Sequence, residues 1–296
     1  MTRKTVMGFK LERTEEALTA HGGLALMGEY NNKLGLRSFV DACLPTAGSN
    51  RGYAPSVFVE SLVLMLQGGG RCLDDLRGLE KEEGLMALIG RETIPDASTV
   101  GDWLRRMGDV ESGSEGLSGL AEVRDRLTER LLGLEALTEY TLDADATQIE
   151  GEKREAQWTY KGVQGYMPML GFLFENGLCL LDEFREGATS PARNASPGGG
   201  QVAFYQECRK RMPAGKRIAR YRADSASYQS DLINALEGDG VVWAITADQD
   251  CAVKAVVGAI PKEGWREPVC GCGYEVAETV HSMGKTDNSI SNSIMI

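Results

Sequence analysis

Tyr140-Thr-Leu-Asp-Ala-Asp-Ala-Thr147 is the stretch whose reading decides the fold. As a strand it places Tyr140, Leu142, Ala144 and Ala146 on one face and Thr141, Asp143, Asp145 and Thr147 on the other, because side chains alternate with a period of two. Two acids then share a strand face. Carboxylates form strands poorly and are costly to bury, so such a pair is either a solvated edge or a place where a cation offsets the repulsion. Arg217-Ile-Ala-Arg-Tyr-Arg-Ala-Asp224 reads as a second strand, ending in a lone acid before Ser225-Ala-Ser227, a helix-start signal. Laid side by side, the two strands bring Asp145 and Asp224 to one sheet edge. A pair of this kind suits Mg²⁺ (or Mn²⁺), which takes a few carboxylates and completes its shell with water and substrate phosphate. Two unrelated acids at strand ends is the alternative that spacing alone leaves open.

Working outward, the 296 residues, 42% of them hydrophobic, suffice for two domains with cores of their own. The longest apolar run, Val57 to Leu66, is interrupted by Glu60 and Ser61 and is too short to span a bilayer, and Met1 to Ala20 is charged and lacks an apolar export core. The expectation is a cytoplasmic, nucleoid-associated protein with no membrane partner. The seven cysteines are odd in number and scattered, which favours free thiols. Only Cys270-Gly-Cys272 is close-spaced, and with His21 and His281 as the sole histidines the second half of a zinc site is missing. The net charge of −11 argues against a nucleic-acid partner. Charge is unevenly spread, however: between Glu150 and Arg222 stand twelve Lys/Arg against eight Asp/Glu, so the basic excess lies between the two proposed ligands.

Residues 11 to 135 read as helical. Phe39 to Leu44 closes a short helix at Pro45; Pro55 opens another that Gly68-Gly-Gly70 ends, and that glycine run lacks the Lys-Ser/Thr of a phosphate loop. Pro95-Asp-Ala-Ser-Thr99 caps a helix bearing Val100, Trp103 and Leu104, with Arg105 and Arg106 outward. A turn followed by such a helix fits either a helix-turn-helix DNA reader or a helical packing domain with solvated arginines. Glu111 to Gly116 is linker-like, and Leu117 to Leu134 repeats leucines at spacings of three and four. From 140 onward the pattern is strands: Tyr166 to Phe174 and Leu178 to Phe184 flank the hairpin signal Asn176-Gly177. Val202 to Met212 is a helix, Tyr228 to Leu236 another, Val241 to Thr246 a buried strand and Ala252 to Ile260 a helix. Trp265 to Val269 and Tyr274 to Val280 open a β-rich unit, and Asp287 to Ser293 is a polar tail. Strand, hairpin, helix, strand, helix, strand is an α/β order around one mixed sheet.

With these residues in view, Leu142-Asp-Ala-Asp-Ala-Thr-Gln-Ile-Glu150, Lys153-Arg-Glu-Ala156, Thr159-Tyr-Lys-Gly162, Gly165-Tyr-Met-Pro168, Phe184-Arg-Glu-Gly187 and Arg222-Ala-Asp-Ser-Ala-Ser-Tyr228 together resemble the DDE transposases of bacterial insertion sequences. The resemblance implies an RNase H-like mixed sheet over about 117–260, an all-helical domain over 1–116 and the start of a β-rich insertion over 261–296. It also implies Mg²⁺-dependent cleavage and strand transfer on DNA, with terminal inverted repeats and target DNA as partners and a homodimer when intact. Carried over residue by residue, Asp145 and Asp224 match the first two catalytic acids, with Asp143 in reserve as a metal ligand. Lys161 is either a phosphate contact or a salt-bridged surface lysine, and Arg220, Arg222, Arg105 and Arg106 are further candidate DNA contacts. Ala188 stands where relatives often carry asparagine. The family's third acid, a glutamate on a helix beyond the insertion, has no counterpart before Ile296, so the expectation is a truncated product. The alternative is a catalytically inactive DNA-binding remnant that competes with intact transposase.

Overall fold

The computed structural model describes residues 14–46, 52–109, 115–190, 200–267, 273, 275–281 and 292–295. The chain divides into two units, Met1–Leu131 and Leu132–Ile296. Among the described residues no helix is long and apolar enough to cross a membrane.

The first unit is helical: α1 (Gly22–Leu34), α2 (Leu36–Cys43), α3 (Pro55–Gln67), α4 (Leu76–Glu80), α5 (Glu83–Leu88), α6 (Ala97–Met107) and most of α7 (Glu115–Gly133). Gly35 joins α1 to α2 at a φ of 77°, a left-handed turn that a side chain would strain. Pro55 sits at the start of α3, where its missing N–H costs no helical bond. Val40, Leu85 and Val100 are fully buried in one core, where Phe58 stacks on Trp103 with ring centroids 4.8 Å apart. Glu60 is buried on α3 between Arg37 and Arg91, both bonded to its carboxylate, which offsets the desolvation of that charge. The expected Asp96 cap is present: its carboxylate accepts from the backbone N–H of Ser98 and Thr99 and from both hydroxyls. Those donors, the Ser98 hydroxyl first, hold the acid well below the usual carboxylate range. The leucine face of α7 is less buried than its spacing implies, since Leu117, Leu120 and Leu134 are exposed while Val123 and Thr128 are buried.

The second unit carries β1 (Glu139–Ala146), β2 (Ile149–Glu150), β3 (Gln157–Trp158), β4 (Gln164–Tyr166), β5 (Met169–Leu173), β6 (Leu178–Glu183), α8 (Gln201–Lys210), β7 (Arg217–Ala223), α9 (Ser230–Gly238), β8 (Val242–Ile245), α10 (Cys251–Gly258), β9 (Glu278–His281) and β10 (Asn292–Met295). The main sheet runs β6-β5-β1-β7-β8, with β1 antiparallel to β5 and parallel to β7, and β7 parallel to β8. Three antiparallel strands, with the small β2-β4-β3 sheet inserted between the first two, followed by two parallel ones each reached through a helix, make this an RNase H-like sheet, the expected fold class. Its inner face buries Tyr140, Leu142, Leu173, Leu180 and Tyr221 against Phe204 and Tyr205 of α8 and Leu232 and Leu236 of α9. Gly171 lets α8 come close: a Cβ there would stand 3.1 Å from the Cys208 sulfur and 3.2 Å from the Phe204 ring.

Two expectations are corrected. Val241 to Thr246 is not a buried strand, for β8 is a sheet edge and Val242 is 70% exposed. Apolar content alone does not distinguish an edge strand from an interior one. Asn292 and Ser293, expected in a free polar tail, belong to β10, which pairs antiparallel with β9. Residues 287–291 of that stretch lie outside the described residues, as do 111–114 of the expected linker.

Candidate functional site

The backbone register sets the site. β1 and β7 pair in parallel, Tyr140 opposite Ile218, then Thr141 opposite Arg220, Asp143 opposite Arg222 and Ala144 opposite Ala223. The slip between the first two pairs leaves Ala219 as an extra residue, a bulge that turns Arg220 and Arg222 to the same face as Thr141 and Asp143. The ladder ends at Ala144 opposite Ala223, and Asp145 and Asp224 are the residues that follow this last pair on the two chains of the ladder. Both acids are exposed.

Each acid is tethered by one oxygen. Asp145 Oδ1 accepts from the Ala146 N–H at 2.8 Å, and Asp224 Oδ1 accepts from the Ala226 N–H at 3.0 Å, capping the short turn Ser225–Ser227. The other oxygen of each carboxylate has no protein partner among the described residues, which leaves two hard oxygen donors facing solvent. Such a donor set fits an oxygen-seeking divalent ion in kind. In number it is small: among the described residues no group of three or more His, Cys, Asp or Glu is arranged to hold a metal.

The flanking residues are already engaged. Asp143 takes the Arg222 guanidinium in a two-pronged bond of 2.6 and 2.5 Å, and the same guanidinium lies 4.1 Å from the centroid of the Phe174 ring. The pairing with Asp143 raises the Arg222 pKa further. Arg220 stands 3.8 Å from Glu175, whose carboxylate also accepts from the N–H and hydroxyl of Thr141. Lys161 is exposed, its Nζ 5.6 Å from the Tyr160 ring centroid. In the helical unit Arg105 is paired with Asp102 at 2.5 Å, and Arg106 is exposed in the last turn of α6. Tyr228 follows the Asp224-capped turn, its hydroxyl buried without a hydrogen-bond partner among the described residues, and burial raises its pKa. Glu175, which the sequence did not single out, stands just before the Asn176-Gly177 hairpin signal and anchors Thr141 and Arg220. Its position two residues before Gly177 was the one available signal, since a hairpin end beside β1 brings that side chain back over the strand.

The family model described as Transposase DDE domain group 1 matches residues 6–281. No curated protein matches the chain. A solved structure titled "Crystal structure of a pre-cleavage Mos1 transpososome" is 13% identical, with 80% of this chain and 83% of that chain covered. Its TM-score is 0.19.

Proposed function

We propose, because this chain belongs to the Transposase DDE domain group 1 family and is a transposase by function, that its reaction on DNA is centred on Asp145 and Asp224. The single observation that supports this reading is the β1–β7 register, whose last pair, Ala144 opposite Ala223, is followed directly by Asp145 on one side and Asp224 on the other. Their untethered oxygens would hold a divalent cation, Mg²⁺ or Mn²⁺. When bound, such an ion stabilises charge on the attacking and leaving oxygens of an in-line phosphoryl displacement. Arg220 and Lys161 contribute positive charge for the DNA backbone, which positions the duplex without reading its sequence. Arg222 holds Asp143 and so keeps a third carboxylate from adding repulsion beside the pair. Arg105 and Arg106 are DNA contacts of the helical unit in the same reading, terminal inverted repeats are the DNA bound, and the working assembly is a homodimer.

With two donors the chain by itself binds metal weakly, because a divalent ion of this size fills most of its shell from other sources. Titration with Mn²⁺ followed by electron paramagnetic resonance tests the reading. Asp145→Asn and Asp224→Asn should each remove the bound signal and any cleavage of DNA carrying element ends. Unchanged Mn²⁺ binding in both variants would sink it. A second reading, a DNA-binding protein without strand cleavage, is favoured by the small number of acidic donors. Gel shifts unaffected by Asp145→Ala, with no cleavage by the parent chain, would select it.

A further inference from the structure

The helical unit holds a charged cluster with donors to spare. Glu60 of α3 is buried, and Arg37 of α2 and Arg91, just beyond α5, each reach it through one nitrogen, Nε of the first and Nη2 of the second. Each carboxylate oxygen accepts one of these bonds, so the acid is satisfied, whereas a guanidinium carries five N–H groups and most of them remain for other acceptors. Two positive charges against one leave a surplus of one. Glu29, nearer the solvent with its side chain 59% exposed, is paired with Lys33 at 3.5 Å and does not cancel that surplus.

Beside the cluster lies a cavity of about 180 Å³ between α1, α3 and the end of α5. Leu64, Ile89 and Ile94 give it an apolar wall, while Arg37, Glu60 and Arg91 give it a polar end. Leu88, which also lines it, is 63% exposed and so stands at its opening. Asn31 of α1 lines the cavity too; the residue is 8% exposed, and its amide nitrogen is buried with no hydrogen-bond partner among the described residues. A donor left unpaired in this way is costly, and so is an unfilled void. A leucine at position 31 would serve packing better, so both features point to an occupant.

We infer that this cavity binds a small organic monoanion, a carboxylate carried on a compact apolar body. Surplus positive charge and uncommitted N–H donors select an acceptor-rich anion, and a hydrogen bond between guanidinium and carboxylate is about twice as strong as one between neutral groups. The apolar wall selects hydrocarbon behind the carboxylate, which inorganic phosphate lacks. Size sets the limit: a cavity of about 150 Å³ holds benzene, so this one suits a single ring and its carboxylate. The site lies wholly within the helical unit and is independent of Asp145 and Asp224.

The test is fluorine NMR line broadening on the full chain at fixed salt, with 4-fluorobenzoate as the probe and 4-fluorobenzyl alcohol as its neutral counterpart. The acid should bind about tenfold more tightly than the alcohol. Leu88 is exposed, so its substitution leaves the core intact: Leu88→Glu should weaken binding of the acid about threefold and Leu88→Lys should tighten it by about as much, the effect of a unit charge about 6 Å away in water. Asn31→Leu should weaken the acid about tenfold while the thermal midpoint rises, because an unpaired buried donor has been removed. Broadening of neither compound overturns the site, and equal affinity for the two overturns its preference for an anion. Binding of the acid that ignores both Leu88 substitutions places the anion elsewhere on the chain and overturns the assignment of this cavity.

Discussion

Arg222 is the residue on which charge at the candidate site turns. It takes both oxygens of Asp143 and lies on Phe174, so one guanidinium neutralises an acid and covers an exposed ring. Removing it releases a carboxylate on the Asp145 face and deletes a nearby positive charge, and both changes favour a cation. Arg222→Ala is therefore expected to tighten Mn²⁺ binding by about tenfold, measured by paramagnetic resonance, whereas weaker binding would show that the arginine organises the acids. Asp96 illustrates a different electrostatic role. Its folded-state pKa lies below that of the unfolded chain, so its contribution to stability is complete above the unfolded value near about 4 and fades as pH falls through the folded one. Asp96→Ala should thus lower the thermal midpoint of the helical unit at pH 7, and the gap to the parent should narrow in melts followed by circular dichroism at about pH 3. A gap that stays constant with pH would assign the cap's effect to something other than its charge.

At the scale of single elements, β1 and β7 hold the second unit together through their buried faces. Leu142 is fully buried in the centre of β1, and Leu142→Ala should cost about 3 kcal/mol in urea unfolding, the usual penalty for a core leucine. Register makes a sharper prediction. Inserting one glycine between Ala223 and Asp224 leaves the buried pairs from Tyr140–Ile218 to Ala144–Ala223 in place but carries Asp224 off the Asp145 face. Mn²⁺ binding should be lost while the unfolding midpoint stays within a few tenths of the parent value in urea molarity; binding that survives would mean the acids do not act as a pair. How much of this was legible follows from period and punctuation. The alternation from Tyr140 to Asp145 and the turn at Asn176-Gly177 are local signals, so β1, β5 and β6 could be read directly. The Ala219 bulge could not, because alternation through Arg217–Asp224 looks regular in sequence and the extra residue shows only against a partner strand. β2 and β3 are two residues long, too short to display any period, which is why the small sheet they form with β4 went unread. The bidentate grip of Arg222 on Asp143 was hidden for a related reason: it is a cross-strand contact between residues 79 positions apart.

For the molecule as a whole, the question is how a chain of net charge −11 meets DNA. The twelve bases and eight acids from Glu150 to Arg222 leave a local excess of four positive charges, so the remainder of the chain carries −15. Acids elsewhere repel a duplex at long range, and this repulsion is screened beyond about 10 Å at 0.1 M salt. Phosphate contacts made at short range instead release counterions, and affinity for them falls as salt rises. The two effects oppose each other, which makes the ionic-strength profile informative. Affinity for duplex DNA is expected to pass through a maximum at low to moderate salt rather than decline from the lowest concentration, as it would for a uniformly basic binder. Above the maximum, Lys161→Gln should reduce the slope of log affinity against log salt by about one, the value for a single phosphate contact. An unchanged slope would make Lys161 a surface lysine whose ammonium covers Tyr160 and contacts no phosphate.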